Sequence, residues 1–440
     1  MSLETPEKIR NLQKKLYLKA KAEPDYRFYL LYEKVWRADI LQHAYEVARA
    51  NGGAPGVDGV SFAAIELAGH QEWLSGIGKA LRERSYRPDP VRRVMIPKPN
   101  GGERPLGIPT IRDRVVQTAV KLVIEPIFEA DLEPNAYGYR PRRSAGDAVE
   151  AVHDLLRRGY TDVVDADLSK YFDTIPHDQL MRSVARRIVD KDILRLIKMW
   201  LKAPVEETDK DGRKRLTGGK RNKQGTPQGG VISPLLANLY MNRFLKHWRL
   251  TEQGHKLKAH VIAYADDFVI LSRGHAEEAK AWAGAVMTRL GLSLNEAKTS
   301  LRNAWKERFD FLGYSFGPHY SRKDGRRYLG ASPSKKSVAR LKPRISAILH
   351  RGNNEPWADV CIKLNRVLKG WSGYFDYGTR TPAYCAIDYH VATRVRRFLV
   401  KRHKVPSHGT RRFSYETIFG ELGVVRLRKL AVRPPPWALR

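Results

Sequence analysis

A chain of 440 residues with 80 Lys and Arg against 47 Asp and Glu carries a formal charge of +33, far more than solubility needs, so its natural partner is a polyanion: RNA, DNA or an anionic membrane. Two cysteines, Cys361 and Cys385, exclude a disulfide framework and any paired-cysteine zinc site, and no apolar run approaches the roughly 20 residues of a membrane span. With no apolar signal at Met1-Ser2-Leu3-Glu4-Thr5 the sequence predicts a cytoplasmic protein, and its length allows two or three domains.

The first readable element is a hairpin. Pro99-Asn100-Gly101-Gly102 is a turn sequence that folds two short strands together and puts Lys98 and Arg104 on one flap. Arg offers paired hydrogen bonds and Lys a point charge, so the flap suits a triphosphate as well as plain solvent. Thr161 to Leu168 then reads as a short strand by Val163-Val164 and its alternation, delivering Asp167 at its end. Alternation turns Asp165 to the same side, where it ranks behind Asp167 as a ligand.

Gly225 to Gly230 holds too many helix breakers for regular structure. Ser233-Pro234 follows as an N-cap with Pro at the first helical position, predicting a helix over 234–248 that buries Leu235, Leu236, Leu239, Tyr240 and Phe244. Next, Val261-Ile262-Ala263 and Phe268-Val269-Ile270-Leu271 flank Tyr264-Ala265-Asp266-Asp267, which predicts a tight hairpin with two carboxylates at its tip. A helix over 277–290, a short Leu292-Ser293-Leu294 strand and Lys298 come after it.

Adjacent acids at a turn are ordinary turn chemistry; a third acid changes their meaning. If the Asp167 strand neighbours the hairpin in one sheet, Asp167, Asp266 and Asp267 converge. Such a cluster repels itself without cations and normally holds hard divalent ions, Mg²⁺ where phosphates complete the shell. Two Mg²⁺ ions about 3.5–4 Å apart would activate a 3′-hydroxyl and stabilise a leaving pyrophosphate, which is polymerase chemistry.

Beyond residue 330 the composition shifts: residues 331–440 hold 23 Lys and Arg against 6 Asp and Glu, about half the net charge in a quarter of the chain. A helix over 334–350, distorted at Pro343, opens this part. A second carries the stripe Val360, Leu364, Val367, Leu368 and Trp371, and a third, over 383–403, carries Ile387, Val391, Val395, Phe398 and Leu399. On the third, Arg394, Arg396, Arg397, Lys401 and Arg402 lie mostly off the stripe and suit a phosphate backbone, so Arg394, Arg397, Lys401 and Arg402 are candidate RNA contacts. Trp371, Tyr374, Phe375 and Tyr377 suit either base stacking or the core.

These blocks occur in the order found in group II intron reverse transcriptases and maturases, a family the chain resembles from about residue 51 to about residue 378. Ala54-Pro55-Gly56-Val57-Asp58-Gly59-Val60 resembles its N-terminal block, 96–109 its fingers hairpin, and Ala136-Tyr137-Gly138-Tyr139-Arg140-Pro141 its next motif. The Asp167 block, 225–230, the acid hairpin, 291–299 and Phe309-Asp310-Phe311-Leu312-Gly313-Tyr314 follow, and 364–375 resembles the maturase domain.

The resemblance implies an α+β right-hand polymerase fold, fingers and palm, followed by an α-helical thumb or maturase domain. It divides the chain into an N-terminal extension (1–85, family block at 51–62), fingers and palm (86–328), thumb (329–405) and a short basic tail (406–440). It further implies that Lys98 and Arg104 grip the phosphates of an incoming deoxynucleoside triphosphate, that Phe172 lies beneath its sugar, and that Gln228 lines its pocket. Lys298 is implied as a proton donor to the departing pyrophosphate.

The expected partners are therefore an intron RNA template, a DNA primer or target and deoxynucleoside triphosphates, with no membrane. The tail carries no HNH-like block or paired-Cys cluster, which predicts no DNA endonuclease activity. Two other readings stay open here: a free-standing relative recruited to DNA repair or phage defence, and a splicing cofactor without polymerase activity. A group II ribozyme in the flanking DNA separates the former from an intron-encoded protein.

Overall fold

The structure, a computed structural model, describes residues 3–97, 101–209, 211–321 and 323–430. Strands β1 (Val91–Pro97) and β2 (Glu103–Ile108) form the first hairpin, with Ile96 opposite Arg104. Lys98 lies outside the described residues. The valine strand is β3 (Asp162–Ala166), shorter than the sequence reading at both ends. A hairpin that reading passed over, β4 (Pro204–Thr208) with β5 (Lys214–Gly218), joins the first through parallel pairing of β4 on β1, giving the order β2-β1-β4-β5.

The central sheet brings together segments far apart in sequence. β6 (Ala259–Tyr264) and β7 (Asp267–Ser272) are the acid hairpin; with β3 and β8 (Ser300–Asn303) they form an antiparallel sheet in the order β6-β7-β3-β8. Within β6 and β7, Val261-Ile262-Ala263 and Phe268-Val269-Ile270-Leu271 are continuous apolar runs because both faces are covered there. Val164, Val261, Phe268 and Ile270 belong to the large cluster that includes helices Glu7–Ala22, Ile111–Glu129 and Ser233–Leu250. Val163, Ile262, Val269 and Leu271 face a second cluster with helix Ala145–Arg157 and a small sheet of β9 (Phe309–Phe311), β10 (Tyr314–Tyr320) and β11 (Arg327–Pro333).

Two local readings need correction. Ser233 lies inside its helix rather than capping it: its hydroxyl accepts from Thr226 Oγ1 (2.7 Å) and donates to the Pro227 carbonyl (2.9 Å), tying the helix start to the preceding loop. Leu292 to Leu294 makes a single bridge, Leu168 to Leu294, instead of a strand, because the chain turns immediately after bonding Asn295 N to the Asp167 carbonyl (2.8 Å). The block at 54–60 sits on the start of helix Ile111–Glu129, where the buried Arg114 donates to the carbonyls of Gly52 (3.2 Å), Ala54 and Pro109 (3.0 Å). Among the described residues no helix is long and apolar enough to cross a membrane.

Helices Lys335–Ile348, Trp357–Tyr374 and Thr381–Arg402 make a third core of their own. Val360, Leu364, Leu368 and all five stripe residues of the last helix are buried in it. Residues beyond 405 complete this core: Phe413, Ile418, Val424 and Leu427 are buried there, and the Asp388 carboxylate accepts from the backbone N–H groups of Leu427 (2.9 Å) and Arg428 (3.0 Å). Leu427 has no exposed surface, so Leu427→Ala is expected to destabilise this domain by about 2–5 kcal/mol through lost burial and a residual cavity. Chemical denaturation followed by far-UV circular dichroism measures it; an unchanged midpoint would separate the tail from the core.

Candidate active site

The acid hairpin turns in two residues, Ala265 and Asp266, with Tyr264 paired to Asp267. Ala265 takes a left-handed backbone (φ 59°), a strain that the neighbouring chain holds in place. Ala136 bridges Ala263 in parallel, and Tyr137 N donates to the Ala263 carbonyl (2.8 Å). Gly138 is buried directly on the turn, where any Cβ would collide with Ala265 N.

β3 pairs with β7 so that Ala166 faces Phe268; one further step along this register sets Asp167 across from Asp267. Residues about 100 positions apart thereby meet. Asp167 Oδ2 accepts from Lys298 Nζ (2.9 Å) and Asn295 Nδ2 (3.2 Å). Asn295 is a contact the sequence reading missed, although it lies inside the block at 291–299 and only the lysine was singled out.

The electrostatics are those of crowded acids. Burial first, then the charges of Asp266, Asp167 and Asp165, push the Asp267 carboxyl up to about 6. Burial, with the Asp167 charge adding to it, also raises Asp266, and Lys298 partly offsets both. Asp165 is raised to about 6, chiefly by burial, with Arg302 opposing. Among the described residues no group of three His, Cys, Asp or Glu stands in metal-holding geometry; Asp167 gives an oxygen to Lys298 instead. The donor chemistry nevertheless fits a hard divalent cation, since the Asp167 charge raises both Asp266 and Asp267, and an ion that neutralises such a group of carboxylates relieves that repulsion.

A cleft of about 850 Å³ opens beside Asp167, lined also by Arg104, Lys170, Asp173, Gln228 and Lys298 among others. The first hairpin reaches it through the loop at 225–230. Gly107 N donates to the Gln228 carbonyl (2.5 Å), and Gly229, at φ 110°, lies so close to the Gly107 carbonyl that no side chain fits. The Gln228 side chain donates to Asp173 Oδ2 (3.3 Å). Phe172 is not among the residues lining the cleft: its ring is half-buried against the main core beside Tyr171, and its carbonyl accepts from Thr226 N (2.7 Å).

The basic candidates of the last long helix gather elsewhere. Arg394, Arg397, Lys401 and Arg402, with Arg351 and His408, line a pocket of about 640 Å³ on the third domain. The structure therefore brings Arg104, Gln228, Lys298 and Asp167 to one cleft, with Asp266 and Asp267 on the neighbouring strand hairpin rather than in its lining, and the thumb cations to another.

Comparison with known proteins agrees with this division. Residues 96–316 match the family described as reverse transcriptase (RNA-dependent DNA polymerase), and residues 338–415 match the group II intron, maturase-specific domain. Protein YkfC of Escherichia coli is 33% identical over 366 residues, covering 75% of this chain and 93% of that protein. The group II intron-encoded protein LtrA of Lactococcus lactis is 34% identical over 220 residues, covering 50% of this chain but only 35% of LtrA. Among solved structures, telomerase from Candida albicans is similar at 13% identity, 81% coverage of this chain, 70% of that one and a TM-score of 0.41. With its polymerase family matched across half its length and the maturase domain directly behind it, the chain belongs to the reverse transcriptases of the group II intron type.

Proposed function

We propose that the chain copies an RNA template into DNA with two Mg²⁺ ions at Asp167, Asp266 and Asp267, and that it is encoded by a group II intron whose RNA it binds to assist splicing and retromobility. The observation that carries this reading is the meeting of the three acids across the β3–β7 register beside a cleft lined by Arg104, Gln228 and Lys298. Bound there, the ions would lower the pKa of the primer's 3′-hydroxyl and offset the charge of the leaving pyrophosphate.

The chain's own residues take the remaining tasks. Arg104 and Lys98 hold the triphosphate of the incoming deoxynucleotide. Gln228 borders the nucleotide, and Phe172, packed behind the lining residues Asp173 and Thr226, limits its sugar from beneath. Lys298, now bonded to Asp167, is the proton donor to pyrophosphate. Arg394, Arg397, Lys401 and Arg402 grip intron RNA. In this reading residues 1–85 form the extension, 86–328 fingers and palm, 329–405 the thumb and 406–440 a basic tail, whose described part packs on the thumb core.

Primer extension on an RNA template tests the proposal. The purified chain with a DNA primer, deoxynucleoside triphosphates and Mg²⁺ should yield full cDNA, and none once EDTA removes the metal. A chain that binds RNA yet never extends the primer would leave only the scaffold reading.

A further inference from the structure

The segment from Asn135 to Arg140 runs along the outer edge of β6 and is anchored on both sides of Tyr139. Asn135 donates its side-chain amide to the Val261 carbonyl (3.0 Å) and accepts at its own carbonyl from Ala263 N (3.0 Å). The Gly138 carbonyl accepts from Asn238 Nδ2 (2.6 Å), and Gly138 itself lies against the acid turn. Arg140, its side chain 5% exposed, pairs with Glu129 (2.6 Å) and donates to the carbonyls of Glu133 (2.7 Å) and Ala136 (2.8 Å).

Between these anchors Tyr139 is left 49% exposed. It belongs to none of the three apolar clusters, and among the described residues it stacks on no ring and has no hydrogen-bond partner. Its backbone sits at φ 54°, where an aromatic residue is rarely found. A free surface loop would relax such a residue; here the bonds on either side fix it. The neighbouring Gly138 lies directly on the Tyr264-Ala265 turn, and the charges of Asp266, Asp267 and Arg104 all act on the Tyr139 hydroxyl, so the ring stands beside the acid tip.

We propose that Tyr139 is a substrate contact: its ring packs on the sugar and base of the primer's 3′-terminal nucleotide and holds that end over Asp266 and Asp267. The phosphates have their own charged partners, Arg104 and Lys298, in the cleft. A neutral ring adds no charge for a triphosphate, but it offers an apolar face to a sugar and a stacking face to a base. Fixing the ring by backbone anchors keeps the primer end in one place without an ordering step at each addition.

The contact rests on the polymerase reading, and single-nucleotide extension with the full chain distinguishes the two. Tyr139→Ala should lower kcat about 10-fold with the deoxynucleotide KM within about 2-fold, and reduce the preference for a matched over a mismatched primer end about 10-fold. Tyr139→Phe should stay near wild type, and the melting temperatures of all three should coincide because the ring is outside the core. A Tyr139→Ala enzyme that extends like wild type, loses activity only through KM for the nucleotide, or melts earlier overturns the contact. Impairment of Tyr139→Phe equal to that of Tyr139→Ala also overturns it, since the hydroxyl rather than the ring would then act. An inactive wild-type chain overturns both readings.

Discussion

Asp266→Asn is expected to reduce primer extension by about 10³-fold or more while leaving RNA binding within about 2-fold of wild type. The substitution keeps the size of the side chain and removes the charge that a divalent ion needs. It should not harm the fold: Asp266 is raised by burial and by the Asp167 charge, so a neutral amide relieves repulsion in the hairpin instead of adding it. The thermal shift that Mg²⁺ gives the wild-type chain should shrink in the variant, because a ligand stabilises only the state that binds it. RNA binding should persist because the thumb cations belong to a separate core. Full extension by Asp266→Asn would remove the metal assignment; loss of extension together with loss of melting temperature would instead mark Asp266 as structural.

The acid hairpin was legible because everything that makes it is local: two apolar runs and, between them, a short break that carries both acids. The approach of Asp167 was legible only as a conditional, since the sheet order that joins β3 to β7 is a long-range pairing with no signature in either segment alone. β4 and β5 escaped notice for the opposite reason. Pro204-Val205-Glu206-Glu207-Thr208 is half-buried and Lys214-Arg215-Leu216-Thr217-Gly218 largely exposed, and both are mostly polar, so apolar alternation never announces them; cross-strand charge pairs such as Lys214 with Glu206 (3.1 Å) accompany their pairing. The contribution of 413–427 to the thumb core was hidden because Phe413, Ile418, Val424 and Leu427 sit on short turns of irregular spacing, where neither the helical nor the strand period applies. Ser233 misled because its hydroxyl, well suited to capping, is taken by the loop before it.

RNA affinity should fall roughly 10³–10⁵-fold between about 50 and 200 mM monovalent salt, the response of a surface that neutralises about 6–10 phosphates and releases their counterions. The thumb pocket gives the reason its charges remain available. No Asp or Glu lines it among the described residues. Arg402 is positioned by the carbonyls of Glu355 (2.7 Å) and Asn354 (3.5 Å), and Arg394 by the carbonyl of Leu349 (3.3 Å). The Glu355 carboxylate is itself paired with Lys363. Guanidinium groups held by backbone carbonyls keep their full charge, unlike those spent in surface ion pairs, so they are oriented and unneutralised at once. Arg397→Ala, which removes an exposed cation without touching the core, should weaken binding and lower the slope of log affinity against log salt by about one. Filter binding across a salt series measures both quantities. A slope near zero in the wild-type chain would mean that shape or stacking, rather than this basic surface, holds the RNA.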